Sequence, residues 1–226
     1  MITVLMATYQ GRQYLEQQLD TILAQTVPVK ILISDDGSDD GTREMLDNYA
    51  GWYPEQVVLH HRTEHTGGAA ENFFWLMQEA LKDEKNEYIL FSDQDDVWEN
   101  DKVSVMLHRM KVLEKGLGSA CPILLYSDME VVDEELYEIS PSFASYTHQD
   151  PDRSSFAELL VENQVTGGAS MINRALLMRC AKAPEVCCMH DWWIALTASC
   201  FGIIEFMPRA LSKYRQHGNN VLGAKD

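Results

Sequence analysis

The sequence predicts an α/β fold with a mostly parallel central sheet and helices on both of its faces. Short apolar runs alternate with amphipathic helical patterns through the first hundred residues, which is typical of strand-helix-strand units. Two of the predicted strands end in Asp-rich stretches, and open α/β sheets bind their ligands beyond the carboxyl ends of such strands. The chain has 226 residues, of which 46% are hydrophobic, so one large domain can fill a complete core.

The first half alternates regularly. Residues 3–7 form an apolar run, and the apolar residues within 12–25 recur at helical spacing. The next apolar run ends in a turn-forming stretch at residues 34–42, which leads into a further helix. By the same criteria, strands are predicted at residues 3–7, 29–33, 57–60 and 88–91, and helices at residues 12–25, 43–50, 69–81 and 102–114.

The second half has a looser pattern. Residues 123–126 are predicted as a strand and residues 129–132 as a further candidate strand, with a polar loop at residues 141–153. No repeat, low-complexity tract or linker interrupts the chain, so we expect a single domain over residues 1–226. The remaining predicted elements are helices at residues 156–161, 174–182 and 192–200 and a strand at residues 203–207.

The charge of the chain argues against nucleic acid as a partner. Its net charge is −17 and its pI is about 4.7, so most of the surface repels a phosphate backbone. An acidic protein that binds a nucleotide therefore needs a metal ion or a cluster of backbone N–H groups to offset this repulsion.

The cysteines and the hydropathy pattern suggest a cytoplasmic protein. The five cysteines lack the paired spacing of zinc sites, and reduced thiols are their simplest interpretation. No stretch approaches the roughly 18–20 apolar residues of a membrane-spanning helix, and the apolar N-terminus is too short for a signal peptide. We expect at most peripheral contact with the inner face of the cell membrane.

Three carboxylates follow the fourth predicted strand. In an extended segment, Asp93 and Asp95 point to the same side, whereas Asp96 points away. A carboxylate pair of this kind suits a hard divalent cation that also binds substrate phosphates. The alternative is a solvated acidic turn, because Asp is common in turns. A second Asp-rich strand end, at residues 34–42, favours the first interpretation, since the sheet would bring both to one crevice.

Several motifs together resemble a known family. Residues 7–11 (ATYQG), 34–42 (SDDGSDDGT) and 92–98 (SDQDDVW) are similar to the nucleotide-sugar half of family 2 glycosyltransferases. Three later motifs, TGGA at residues 166–169, HDWW at residues 190–193 and YRQHGNNV at residues 214–221, resemble its bacterial rhamnosyltransferase-like branch. The resemblance implies a GT-A fold with a nucleotide-sugar-binding half at residues 1–100 and an acceptor-binding half at residues 101–226.

The resemblance also implies a donor site. It suggests that a nucleoside-diphosphate sugar binds with a divalent metal ion, Mn²⁺ or Mg²⁺, and that the sugar is transferred with inversion. Asp35 or Asp36 would contact the base; for the Asp-rich turn itself, helix capping is the alternative role. The donor site would include Thr8, Tyr9, Asp35, Asp36, Gly67, Asn72 and Asp93, with Asp95 and His217 as metal ligands.

Asp191 is the predicted catalytic base. It lies at a predicted helix start beside two tryptophans, where partial desolvation raises the basicity of a carboxylate. A helix cap and core tryptophans are the alternative interpretation, but the resemblance favours the base. In the same way, Gly168, Trp192 and Trp193 are expected to contact the acceptor.

The expected activity is metal-dependent transfer of a sugar to a hydroxyl group of a cell-surface glycan or its lipid-linked precursor. The resemblance implies L-rhamnose from dTDP-rhamnose, with UDP-glucose or UDP-galactose as alternative donors. The first strand is not followed by G-x-G-x-x-G, and the chain has no P-loop motif, which argues against dinucleotide and P-loop enzymes. A non-catalytic module that binds nucleotide-sugar or metal remains an alternative, and a homo-oligomer is compatible with either.

Overall fold

The computed structural model describes residues 1–62 and 67–218. Residues 219–221 of the last motif lie outside these ranges. Within the described residues, nine strands form one sheet in the order β3-β2-β1-β4-β8-β6-β9-β5, and β7 pairs with β6 at the side.

The first half folds as predicted. Its four strands are parallel to one another, and α3 has the predicted bounds. Helix α1 begins at Leu15, three residues later than predicted, because residues 12–14 form a turn whose last amide bonds the carbonyl of Gly11. The elements are β1 Ile2–Thr8, α1 Leu15–Leu23, β2 Lys30–Asp35, α2 Thr42–Trp52, β3 Val57–His61, α3 Ala69–Leu81 and β4 Tyr88–Ser92.

The second half departs from a purely parallel sheet: parallel pairing joins β1 to β4 and recurs between β6 and β9. Strand β8 is inserted antiparallel between β4 and β6, and β9 runs parallel to β6. Strand β5 pairs antiparallel with β9, and β7 pairs antiparallel with β6. The elements are β5 Val97–Trp98, α4 Lys102–Leu117, β6 Ile123–Val132, β7 Glu138–Ser140, α5 Phe143–Tyr146, α6 Phe156–Leu159, a 3₁₀ turn Gly167–Ala169, β8 Ser170–Asn173, α7 Arg174–Cys180, α8 His190–Phe201 and β9 Ile203–Arg215.

Tertiary pairing explains the elements that periodicity missed. The two polar residues that separate the predicted strands at 123–126 and 129–132, Ser127 and Asp128, are buried within the single strand β6. Strand β9 continues far beyond residue 207 because it pairs with β6 and then with β5. Strand β8 has only four residues, too few to show a strand period, although it lies inside the sheet.

Each face of the sheet has its own core. Helices α1, α2 and α4 pack on one face through residues such as Leu19, Leu46 and Met106. Helices α3, α7 and α8 pack on the other through residues such as Phe73 and Ala195. Full burial of a side chain such as Leu19 or Phe73 stabilises the fold by about 1.5–3 kcal/mol. This packing fixes the carboxyl ends of β1, β2 and β4 as the rigid floor of one crevice.

No helix of the described residues is both long enough and apolar enough to cross a membrane.

Candidate active site

The predicted donor residues begin where β1 and β2 end side by side. Thr8 and Asp35 are paired in register, and the Thr8 hydroxyl donates to Asp35 Oδ1 over 3.1 Å. Asp35 is fully buried, yet it accepts hydrogen bonds from Thr8, Gly37, Ser38 and Arg43, including an ion pair of 2.8 Å with Arg43 Nε. Burial alone would raise the pKa of Asp35, but the hydrogen bonds from Ser38 and Arg43 outweigh burial and lower it. The carboxylate is therefore held charged.

Asp36 continues the chain into the crevice. Its backbone N–H donates to the Thr8 carbonyl over 2.9 Å, which places the residue beside the end of β1, and 2% of its surface is exposed. Arg43 also reaches the carbonyl of Arg62 at the end of β3 over 2.7 Å. The ends of β1, β2 and β3 are thus connected by one buried polar network.

Gln94 connects the ends of β1 and β4. Its side-chain amide accepts from Tyr9 N and donates to Tyr9 O, both over 2.9 Å. This close approach requires Gly11, since a side chain there would overlap the Gln94 amide. The Tyr9 ring remains half exposed at the edge of the crevice. Gln94, which lies between Asp93 and Asp95 in the sequence, therefore joins the loop after β4 to the end of β1.

The start of α3 lies next to the same edge. Gly67 has φ +104°, a left-handed conformation that favours glycine, and helix α3 begins two residues later. Asn72 is buried and its Nδ2 donates to the Ser34 carbonyl over 2.9 Å, whereas its Oδ1 has no partner among the described residues. Asn72 therefore ties the first turn of α3 to the end of β2.

The two predicted metal ligands are in direct contact. His217 Nε2 lies 2.8 Å from Asp95 Oδ2, and both side chains are largely buried. The donor atoms of two side chains that bind one divalent ion at neighbouring positions lie at a similar distance from each other. An imidazole nitrogen and a carboxylate oxygen together form a donor set that Mn²⁺ accepts. No group of three His, Cys, Asp or Glu side chains with metal-binding geometry occurs in residues 1–62 and 67–218. The pair thus fits a cation whose remaining ligands come from the substrate and water.

Arg215 fixes the segment that carries His217. Its buried guanidinium donates to the carbonyls of Asp95 and Glu134 and to the side chain of Gln17, and it stacks on the Tyr14 ring at 4.6 Å. The Tyr14 ring also packs against His217, with ring centroids 4.9 Å apart. The end of β9 is therefore attached to α1, to the loop after β4 and to the turn after β6.

Asp93 and Asp96 differ from Asp35 in their surroundings. Asp96 is buried, and its Oδ2 has no hydrogen-bond partner among the described residues. Burial, followed by the charge of Asp95, raises the pKa of both Asp93 and Asp96. The buried ammonium of Lys102 lies close enough to lower both pKa values. A cation or a hydrogen-bond donor from a ligand would relieve this repulsion.

Asp191 lies across a glycine turn from these carboxylates. Its Oδ2 accepts from Gly167 N over 3.1 Å, and its Oδ1 accepts from Asn163 Nδ2 and from Trp192 N. Burial raises the pKa of Asp191 to about 6, although these hydrogen bonds lower it. The Gly167–Gly168 turn contacts both Asp191 and Asp93, and the charge of Asp191 contributes to the raised pKa of Asp93. A carboxylate of this basicity can accept a proton near neutral pH.

The two tryptophans after Asp191 are held by different helices. Trp192 Nε1 donates to the carbonyl of Leu159 in α6, which anchors that short helix beside Asp191. Trp193 Nε1 donates to the carbonyl of Cys180 over 3.1 Å, and its side chain packs against the core formed by α3, α7 and α8. Trp193 therefore packs in the core, whereas Trp192 joins α8 to α6.

Comparison with protein families assigns the chain to a family. The model of glycosyl transferase family 2 matches residues 3–179. The chain belongs to this family. The GT-A fold and the enzyme class that the motifs implied are thereby confirmed for this glycosyltransferase.

Two curated relatives extend the comparison. The dTDP-rhamnosyl transferase RfbG of Shigella flexneri is 29% identical to this glycosyltransferase over 230 residues, which cover 97% of the chain and 74% of the relative. The putative teichuronic acid biosynthesis glycosyltransferase TuaG of Bacillus subtilis is 31% identical over 177 residues, which cover 76% of the chain and 66% of the relative.

Solved structures with the same fold are longer. Residues 1–349 of S. aureus TarS in complex with UDP superpose with a TM-score of 0.67 at 16% identity, covering 95% of this chain and 60% of that one. The mannosyltransferase PcManGT from Pyrobaculum calidifontis, in complex with GDP-Man and Mn²⁺, gives a TM-score of 0.63 at 18% identity, covering 97% of this chain and 58% of that one. This glycosyltransferase thus spans about three fifths of the length of these structures.

The structure also contains site residues that the sequence did not single out. Lys102 follows an acidic loop at a helix start and reads as an exposed surface lysine, but it is fully buried behind the crevice. Asn163 occurs in a polar loop without a motif, and only the fold brings it to Asp191. Arg215 and Gln94 lie inside motifs but carried no predicted role, because their partners are more than 80 residues away in the sequence.

Proposed function

We propose that this chain is a metal-dependent inverting glycosyltransferase that uses a nucleoside-diphosphate sugar and activates the acceptor hydroxyl through Asp191. The observation that carries the proposal is the placement of Asp191 beside Asp93, separated by the Gly167–Gly168 turn. An inverting transfer needs a site for the nucleotide-sugar and a base for the acceptor hydroxyl. The carboxylates proposed to bind the nucleotide-sugar lie on one side of the turn, and a carboxylate of raised basicity lies on the other.

The donor would lie across the ends of β1, β2 and β4. We keep both Asp35 and Asp36 as candidates for the contact with the base, since both lie at the end of β2, with Thr8 and Tyr9 forming the adjacent wall. Asn72 and the Gly67 turn support this region from α3. Asp93 would accept hydrogen bonds from the ribose, whose hydroxyl groups would relieve the repulsion between the carboxylates there.

Asp95 and His217 would hold the divalent ion. A bound Mn²⁺ or Mg²⁺ draws negative charge from the departing diphosphate. The contact between these two side chains and the cation preference of their donor atoms support the assignment. Arg215 and Tyr14 keep His217 in place against Asp95.

Asp191 would take the proton of the acceptor hydroxyl while the hydroxyl oxygen forms a bond with the anomeric carbon of the donor sugar. The bond between that carbon and the diphosphate oxygen breaks, its electron pair leaves with the diphosphate, and the configuration inverts because attack comes from the opposite face. Gly167 N and Asn163 hold the carboxylate in orientation. We keep Gly168 and Trp192 as proposed acceptor contacts, because Gly168 lies in the turn between Asp93 and Asp191 and Trp192 directly follows Asp191.

The donor we propose is dTDP-L-rhamnose. The similarity to a dTDP-rhamnosyl transferase over 97% of the chain supports it. UDP-hexoses are the second candidate, since the TarS fragment with the same fold was solved in complex with UDP and with UDP-GlcNAc. The proposed acceptor is a growing cell-surface glycan or its lipid-linked precursor, reached from the cytoplasmic side of the membrane.

A donor panel tests the proposal. The melting temperature is measured with dTDP-rhamnose, UDP-glucose, UDP-galactose, UDP-GlcNAc and GDP-mannose, each with and without Mn²⁺, and nucleotide release is then followed for the donors that bind. We expect the largest Mn²⁺-dependent shift and turnover with dTDP-rhamnose, because at equal concentration the ligand with the lowest Kd stabilises the folded protein most. Binding without nucleotide release would indicate a non-catalytic module, and absence of binding to any donor would refute the proposal.

A further inference from the structure

Lys102 is a buried cation behind the crevice. It is the first residue of α4, and none of its surface is exposed. Its Nζ donates to the Gly168 carbonyl over 2.8 Å and to Ser212 Oγ over 3.3 Å, and it lies 4.1 Å above the Trp98 ring. Lysine is almost never fully buried without compensating partners, because the loss of water costs the ammonium several kcal/mol. The site around Lys102 must therefore supply that compensation.

The partner of Lys102 is the turn between the two groups of carboxylates. A side chain at Gly168 would meet Asp93 Oδ2 at 2.8 Å and Asp96 Oδ2 at 3.2 Å, so the backbone of Gly168 rests directly on both carboxylates. One residue earlier, Gly167 N donates to Asp191 Oδ2 over 3.1 Å. The turn thus contacts Asp93 and Asp96 on one side and Asp191 on the other.

The charges around the turn agree with this arrangement. Burial lowers the pKa of the Lys102 ammonium to about 7, and the charges of Asp96 and Asp93 act against this lowering. Ser212 lies on β9, opposite Trp98 of β5, so the ammonium is enclosed by α4, β5, β9 and the turn. A single buried cation therefore stabilises the carbonyl of the turn and offsets two carboxylates of the donor side.

We infer that Lys102 is a positioning residue that fixes, through the Gly168 carbonyl, the distance between the donor carboxylate Asp93 and the base Asp191. The inference rests on the proposed roles of Asp93 and Asp191. Without the ammonium, the Gly168 carbonyl loses its donor and the turn can move away from the carboxylates. Asp191 would then lose its alignment through Gly167 N, whereas the nucleotide contacts at the ends of β1 and β2 would stay in place.

Lys102→Met tests this role, since methionine keeps most of the side-chain volume and removes the charge and the donors. In the ligand-free protein, we expect hydrogen exchange of the Gly167 amide to become at least about tenfold faster, because the turn opens locally. We expect kcat for Mn²⁺-dependent hydrolysis of dTDP-rhamnose or UDP-glucose to fall about 100-fold, the usual effect of misplacing a reacting group by about 1 Å. The Kd of dTDP or UDP should change by less than about tenfold, because the nucleotide contacts at the ends of β1 and β2 are retained.

Lys213→Met is the matched control. Lys213 lies next to Ser212 on β9 and pairs with Glu130 over 3.1 Å, and its ammonium is not bonded to the glycine turn. The control should leave Gly167 exchange and kcat unchanged within about twofold, as expected for a surface substitution. The amides of β1 and β2 serve as the internal reference for global stability in both variants.

The outcomes separate this inference from the proposed function. Two results for a folded Lys102→Met variant would overturn the role of Lys102. One is a hydrogen-exchange rate of the Gly167 amide within about twofold of the wild type, and the other is a kcat within about threefold of it. If methionine prevents folding, Lys102→Gln is measured against the same limits. A wild-type protein without turnover would refute the proposed function, and the exchange of Gly167 would then still decide whether Lys102 holds the turn.

Discussion

Two buried carboxylates, Asp35 at the end of β2 and Asp96 beyond the end of β4, have opposite electrostatic properties. Asp35 has no exposed surface and Asp96 has 1%, so burial is the same for both. Asp35 accepts hydrogen bonds from four residues and its pKa is lowered, whereas one oxygen of Asp96 has no partner in the described part of the chain and its pKa is raised.

The difference comes from the residues that follow each strand. After β2, the turn supplies Ser38 and the next helix supplies Arg43, and both donate to Asp35. After β4, Gln94 donates to the Tyr9 carbonyl instead, and Asp95 adds a second negative charge. Two Asp-rich strand ends that look alike in sequence therefore differ: Asp35 is stabilised by donors of the protein itself, and we propose that the carboxylates after β4 bind a charged ligand. The following substitutions test this difference.

The largest expected effect is the loss of turnover on substitution of Asp191, one of the residues with a proposed catalytic or ligand-binding role. Asp191→Asn should lower kcat about 10³-fold, because general-base catalysis contributes about 10²–10⁴ and an amide cannot accept the proton. Donor affinity, measured by calorimetry with Mn²⁺, should stay nearly unchanged, since Asp191 acts on the acceptor. Asp47→Asn, at the surface of α2, is the control. Turnover close to that of the wild type would remove Asp191 from the mechanism.

Among the residues with a stabilising role, Asp35→Asn should lower the free energy of unfolding by about 3 kcal/mol, because it leaves two buried hydroxyl groups and the partly exposed Arg43 without a charged acceptor. Urea unfolding followed by tryptophan fluorescence measures the loss. Asp39→Asn is the matched control, since Asp39 is exposed and should change stability by less than about 0.5 kcal/mol. A loss below about 1 kcal/mol for Asp35→Asn would contradict the structural role.

His217→Ala should weaken Mn²⁺ binding in the presence of dTDP or UDP by at least about tenfold, because it removes one of the two proposed protein ligands. The melting temperature in the absence of metal should change little by comparison. Titration of Mn²⁺, followed by electron paramagnetic resonance, gives the Kd directly. His61→Ala, which removes an exposed partner of Asp47, provides the control. Equal Mn²⁺ affinity in the two variants would exclude His217 as a ligand.

The last expected effect is a pH dependence of the rate. A base must be deprotonated to act, and burial raises the pKa of Asp191 to about 6. The rate should therefore rise about tenfold per pH unit below pH 6 and level off above it. The profile of kcat for donor hydrolysis between pH 4.5 and 8 checks this, with melting temperatures at each pH to exclude unfolding. A flat profile through pH 6 would contradict the assignment of Asp191.

The first half of the fold and most of the candidate site residues could be predicted from sequence, because both depend on local signals. The four parallel strands have apolar runs of ordinary length, and Asp93, Asp95 and Asp191 lie at element ends that the motifs mark. Strand β8 could not be found in this way, since its four residues become a strand only between β4 and β6. Lys102 was missed for a related reason: its burial depends on Gly168 and Ser212, both distant in the sequence.

The position of β8 has a consequence for biosynthesis. Strand β4 ends at Ser92, whereas β8, its partner on one side, begins only at Ser170. As the ribosome delivers the chain, one side of β4 lacks its native pairing until these later residues emerge. An unpaired hydrophobic edge attracts other nascent chains. Fragments that end before β8 would carry the same open edge, so expression of the N-terminal half alone should favour aggregates over a native domain.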